Sequence, residues 1–220
     1  MRNRFDKQLI TLNNELIEMG SMIEKAIEYA VKALVTQDID LARKVITSDE
    51  EIDRQEREIE NLCLKLLLQQ QPVARDLRQI SSALKMITDM ERIGDHAADI
   101  SEITLTMLDN KEPYVENLEY IQNMAKETSV MLVGSVDAFV NKNQEQANAV
   151  IRQDDVVDQL FLEVQKGLVS LIHKNPECGG QAADLLMVAK YFERIGDHAT
   201  NISEWVIFSL TGTHETVYTK

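Results

Sequence analysis

The chain is poor in residues that make turns and cross-links: its 220 residues include eight glycines, three prolines and two cysteines. So few turn formers leave little room for an all-β fold, whose short strands need frequent reversals. The cysteines supply no framework, because Cys63 lies in an apolar helical run, Cys178 lies at a proline- and glycine-rich junction, and no CxxC is present. Zinc-finger and dithiol redox chemistry therefore have no support. Long hydrophobic runs are missing as well. A membrane-crossing helix needs about 20 mainly apolar residues, and the best stretch, Trp205 to Leu210, is far shorter. The first ten residues, MRNRFDKQLI, scatter charge where a signal peptide has an apolar core, so a cytoplasmic protein is expected. Positive charge is the last scarcity, with 23 basic residues against 37 acidic ones and a formal net charge of −14. That balance argues against nucleic acid and against direct insertion into or attachment to an anionic membrane, and favours cations and basic patches on partner proteins.

What is present is helical periodicity. Phe5, Leu9, Leu12, Leu16, Met19, Ile23, Ala26, Ala30 and Ala33 recur at steps of three and four, the seam of a helix packed nearly parallel to its neighbours. A second run carries Leu41, Val45, Ile52, Ile59, Leu62 and Leu66, and a third runs from Ile80 to Leu108. Between them Gln69 to Pro72 reads as a break, with the proline suited to a helix's first turn. The polar, proline-ended Asp109–Pro113 stretch is the boundary between halves, giving units 1–110 and 111–220.

The second half repeats the first. At an offset of 105, Val45-Ile46 meets Val150-Ile151, and Asp49 and Asp53 meet Asp154 and Asp158. Further on the offset becomes 102, and ERIGDHAADISE (91–102) meets ERIGDHATNISE (193–204) with ten of twelve positions identical. The expected fold is all-α: two tandem three-helix bundles related by internal duplication, end to end or side by side.

Each repeat carries acids at helical spacing. Residues i and i+4 stack on one face, so Glu91, Asp95 and Asp99 form a carboxylate stripe that Glu102 continues. Asp49 and Asp53, followed by Glu56, make a second stripe on the preceding helix; the other half offers Asp154 and Asp158, then Glu193 and Asp197. Like charges at this spacing destabilise a helix by a few tenths of a kcal/mol per pair, which calls for something to neutralise them. Carboxylates on adjacent helices chelate and bridge hard or borderline cations; a solvated face, or one paired with Arg and Lys, is the plainer alternative. Arg92 and Arg194 read as partners for those carboxylates, and Gly94 and Gly196 as sites of close helix approach. His96 and His198 each follow an aspartate and point about 100° away from it, so they read as structural residues or as supports for a ligand.

Enzyme signatures are missing. No histidine has a glutamate three residues before it, as a ferritin-like di-iron site needs, and there is no HExxH, P-loop, GxSxG or Rossmann glycine pattern. A carboxylate-only metal site could still hydrolyse a phosphoester, but no nucleophile is identifiable.

Two copies of ERIGDHA about a hundred residues apart, each closing a three-helix unit with an upstream Asp-x-x-x-Asp, resemble the PhoU family of phosphate-transport-system regulatory proteins over essentially the whole chain. The resemblance implies a cytoplasmic homodimer that negatively regulates the phosphate-starvation response and is not an enzyme. It also implies partners, the ATPase subunit of the phosphate ABC transporter and a membrane sensor histidine kinase, and metal ions held as iron or zinc clusters by E/DxxxD motifs. Carried over, those motifs fall on Asp49, Asp53, Glu91, Asp95, Asp99, Asp154, Asp158, Glu193 and Asp197. One departure stands out: Asn201 occupies the place of Asp99 in the second copy. Losing that charge should make the halves unequal metal sites. The competing readings are a metal-dependent phosphohydrolase and a metal-free helical adaptor whose acids serve solubility.

Overall fold

A computed structural model describes residues 2–70, 72, 74–109 and 118–213. Six long helices account for nearly all of them: α1 (Arg2–Thr36), α2 (Ile39–Gln70), α3 (Arg75–Asp109), α4 (Glu119–Asn141), α5 (Gln144–Lys174) and α6 (Gly179–Thr211). A 3₁₀ turn, Pro176–Cys178, sits between α5 and α6. The fold is all-α, as its periodicity predicts.

The duplication extends to the turns. Gln37 (φ 57°) ends α1 and Lys142 (φ 54°) ends α4 in the left-handed region, 105 residues apart. The next residue caps the following helix in each half: the Asp38 side chain accepts from the Leu41 amide at 2.9 Å, and that of Asn143 accepts from the Gln146 amide at 3.1 Å. Their own amides return to Ala33 and Ala138 carbonyls at 3.0 and 2.8 Å. The same stop-and-restart device, a left-handed C-terminal residue followed by an Asx cap, thus closes each first hairpin.

Pro72 does not open a helix: α3 begins at Arg75, after Ala74 at φ 43°. Pro176 does, at the start of the 3₁₀ turn. The expected boundary stretch Asp109–Pro113 lies outside the described residues, apart from Asp109 at the end of α3.

The halves lie side by side. α3 and α6 make the most extensive helix contact in the molecule, and α1 also meets α4. Among the described residues α2 packs only on α1 and α3, while α5 packs on α4, α6 and the 3₁₀ turn, so α2 and α5 form the two outer flanks. One continuous core runs through both halves, from Leu12, Ile23 and Ile59 through Met86 and Met90 to Leu132, Leu185 and Phe192. Burial pushes the Cys63 thiol up to about 12, which leaves it a packing residue. This layering gives each motif helix, α3 and α6, two different neighbours: an outer helix of its own half and the motif helix of the other.

Candidate metal centre

Both repeats place a carboxylate pair on the outer helix opposite the motif helix. In the first half Ile52 and Ile59 of α2 face the core, nearly fully buried, and the acids at 49, 53 and 56 flank that seam. Asp49, Asp53 and, from α3, Asp95 each bring an oxygen within 4.8 Å of the others. The approach depends on Gly94. A Cβ there would stand 3.1 and 3.2 Å from the Ile52 side chain and 3.4 Å from Asp49 Oδ1. In the second half a Cβ on Gly196 would stand 2.9 Å from Asp154 Oδ1. The motif glycines therefore set how closely the two acidic faces meet. Gly94→Ala gains about 1 kcal/mol of helix propensity but overpacks a stiff, buried isoleucine, which costs about 1–3 kcal/mol. We expect a net loss near 1 kcal/mol in urea unfolding.

The trio suits a cation. Its donors are all carboxylate oxygens, the set that hard and borderline ions accept. Asp49 Oδ1 is buried and has no hydrogen-bond partner among the described residues, an orphaned acceptor that a cation would satisfy. Asp49, Asp53 and Asp95 would hold the ion; Glu91 stands beside them, its carboxyl raised above the usual range by burial and by the charge of Asp95. Arg92 meets Asp95 at 2.6 Å and Glu91 at 3.4 Å, the role its position predicts. Arg194, its counterpart, makes no ion pair among the described residues.

The second cluster is looser. Asp154, Asp158, Glu193 and Asp197 share a neighbourhood, since the charges of the other three add to burial in holding Asp154 up, yet no trio among the described residues of that half closes to 4.8 Å. Asp158 and Asp197 are exposed, and Lys190 pairs with Glu193. Crowding of like charge is nonetheless evident in both halves. Burial, then the charges of Asp95, Asp53 and Asp99, push Asp49 up to about 6. Burial, then Asp197, Asp158 and Glu193, push Asp154 up to about 7.

These shifts fix the pH dependence of the metal-free protein. Both folded values exceed the ordinary 3.8, so the stability these groups contribute is complete below about pH 4 and lost as pH rises through 6 and 7. Burial lowers the His96 value below 6.5, and that group opposes further acidification. Stability should therefore rise as pH falls from 8 to 6.5, mainly through Asp154. Urea midpoints in chelator at the two pH values check this.

The two motif histidines lie elsewhere. His96, the residue after Asp95, is buried at the α3/α6 crossing, where its ring lies 5.2 Å from Tyr191 and 5.5 Å from His198. His198 Nδ1 reaches Asp89 Oδ1 of the other half at 2.8 Å, and Asn201 donates to the same oxygen at 3.2 Å. Asp99 lies 3.4 Å from His96 Nδ1 and takes a hydrogen bond from Tyr191. Asp99 thus stands at the crossing, outside the converging trio, though its charge still reaches Asp49. Asp89 and Tyr191, which occupy the same position in the two repeats, were not singled out by the sequence: an aspartate matched to a tyrosine carries no signature of a shared role.

Comparison with known proteins follows this duplication. The PhoU domain family model matches twice, over residues 16–104 and 121–206. A phosphate-specific transport system accessory protein PhoU homolog of Clostridium acetobutylicum is 39% identical over 212 residues, 96% of each chain. Its namesake in Rhizobium meliloti is 31% identical, over 94% of this chain and 87% of its own. Among solved structures, PhoU from Pseudomonas aeruginosa superposes with a TM-score of 0.88 at 32% identity, covering 95% of this chain and 100% of that one. The phosphate transport system regulatory protein PhoU from Streptococcus pneumoniae gives 0.85 at 26% identity, over 96% and 98%.

Proposed function

The chain belongs to the PhoU family, and on that premise we propose that it is an accessory protein regulating a phosphate-specific transport system. The observation that carries the reading is similarity along 96% of both chains to a protein bearing that name, with both copies of the acidic motif inside the matched length. The finer reading has four parts. The protein represses high-affinity uptake and the starvation response when phosphate is plentiful. It does so by contact with the transporter's ATPase subunit and with a sensor histidine kinase. It works in the cytoplasm as a homodimer; among the described residues no helix is long and apolar enough to cross a membrane. Its acidic clusters hold iron, zinc or a similar ion, which the closeness of Asp49, Asp53 and Asp95 supports.

A bound ion would neutralise carboxylates that now repel one another and would tie the outer helix to the motif helix in each half. The protein's own residues would set the surface this creates: Arg92 and Lys190 stand beside the clusters and would shift as the carboxylates they pair with are engaged. Deleting the gene should leave a phosphate-starvation reporter switched on in phosphate-rich medium, and the wild-type gene should switch it off again. A reporter that stays silent in the deletion strain contradicts the regulatory reading.

A further inference from the structure

We propose that the two acidic clusters are coupled across the α3/α6 crossing, and that Asp89 is the positioning residue through which the coupling passes. The inference rests on the metal reading above and adds a route between its two sites.

The route begins with consecutive residues that face opposite ways. Asp95 looks outward to Asp49 and Asp53 on α2, while His96, one residue on, lies against Tyr191 and His198 of α6. The second motif is built alike: the charge of Asp197 acts on Asp154 of α5, and His198 faces α3. A helix is rigid over so short a span, so an ion that draws Asp95 toward α2 also shifts the residue beside it at the crossing.

Polar bonds lock this crossing. Asp89 Oδ1 accepts from His198 and from Asn201, at 2.8 and 3.2 Å, and these join α3 of one half to α6 of the other. Its side chain is only 16% exposed, so little water competes. The repeat cannot return the favour in kind. Tyr191 holds the equivalent position in α6 and meets His96 with a ring and Asp99 with its hydroxyl. Two histidines, two carboxylates, an amide and a phenol therefore fill the crossing, with one carboxylate bridging the halves by two bonds. Asp89 belongs to neither cluster, which makes it the residue to change without touching an ion's ligands.

Coupling of this kind is reciprocal: each cluster must alter the other's affinity by the same factor. Manganese(II) would be titrated calorimetrically into the full chain at fixed pH. The variants are one with the first cluster disabled (Asp49→Ala with Asp53→Ala), one with the second disabled (Asp154→Ala with Asp158→Ala), and each of these and wild type carrying Asp89→Asn. In wild type the combined affinity should depart at least ~fivefold from the product of the singly measured affinities. With Asp89→Asn the departure should fall below about twofold on the same scale. Asn201→Ala, which removes one of the two bonds to Asp89, should give an intermediate value and serves where Asp89→Asn does not fold. Independent sites in wild type overturn the coupling while leaving the metal reading intact. So does an Asp89→Asn protein that melts lower with its coupling unchanged, since that marks a purely structural residue. Manganese uptake by none of these proteins overturns the metal reading together with the coupling.

Discussion

Changing Asp154 to asparagine should stabilise the metal-free protein at pH 8 and, on the proposed metal reading, remove the stabilisation that a divalent cation would give the second half. The carboxyl of Asp154 titrates near 7 in the folded chain against an ordinary 3.8, because burial and the charges of Asp197, Asp158 and Glu193 all oppose its ionisation. At pH 8 it is ionised in both states, so the folded state bears the whole penalty. A shift of that size would be worth about 4 kcal/mol in a dry interior, and partial solvent contact reduces it to roughly 2 kcal/mol. Asparagine keeps the shape and abolishes the charge. The opposite effect appears with metal. An ion at a hundred times its dissociation constant stabilises the state that binds it by about 2.7 kcal/mol, and an amide at position 154 withholds a ligand. Urea midpoints with chelator and with manganese should therefore change order between wild type and variant. A variant less stable than wild type in chelator would show that Asp154 is held by a favourable partner rather than by crowding.

Phe192→Ala should cost about 3–5 kcal/mol, among the largest effects of any single truncation in the chain. Phe192 is fully buried and is the residue just before the second ERIGDHA. It is part of the continuous core and lies on α6, the helix that packs on α3, α4 and α5. Truncation leaves a cavity among helices that are each fixed by several others, so collapse cannot fill it cheaply. For a chain of this size each kcal/mol lowers Tm by about 2–4 °C, so a fall of roughly 10 °C is expected in a thermal melt. Met90, which occupies the matching place in α3 and is equally buried, should cost about 2–5 kcal/mol when changed to alanine. The two losses report on both halves because the halves share one core. A Phe192→Ala melt within about 2 °C of wild type would contradict the shared core.

The repeat was legible because it is written twice, in periodic apolar residues and in ERIGDHA. Its side-by-side arrangement was not, since the crossing that creates it joins Asp89 to His198 and Tyr191 to His96, pairs that periodicity cannot match. The acidic stripe was legible only in part. Steps of four residues rotate a helix face by about 40° each, so Asp99 sits about 80° around the axis from Glu91. That drift carries Asp99 away from α2 and toward Tyr191 and His96, while Asp95 stays with Asp49 and Asp53. Spacing along one helix names the acids; the neighbouring helix decides which of them meet. Gly94 and Gly196 were legible as sites of close helix approach, but that each abuts a carboxylate of the outer helix is visible only in three dimensions.

Whether the acidic motifs make this chain a regulator of phosphate transport can be read from capture of the transporter's ATPase subunit. Wild type and a folded variant with Glu91, Asp95, Glu193 and Asp197 changed to alanine would be compared in extracts of phosphate-replete cells, with recovered proteins identified by mass spectrometry. Wild type should recover the ATPase subunit and the variant should not. Equal recovery by both would contradict the role given to the acidic motifs, and recovery by neither would contradict the regulatory reading itself.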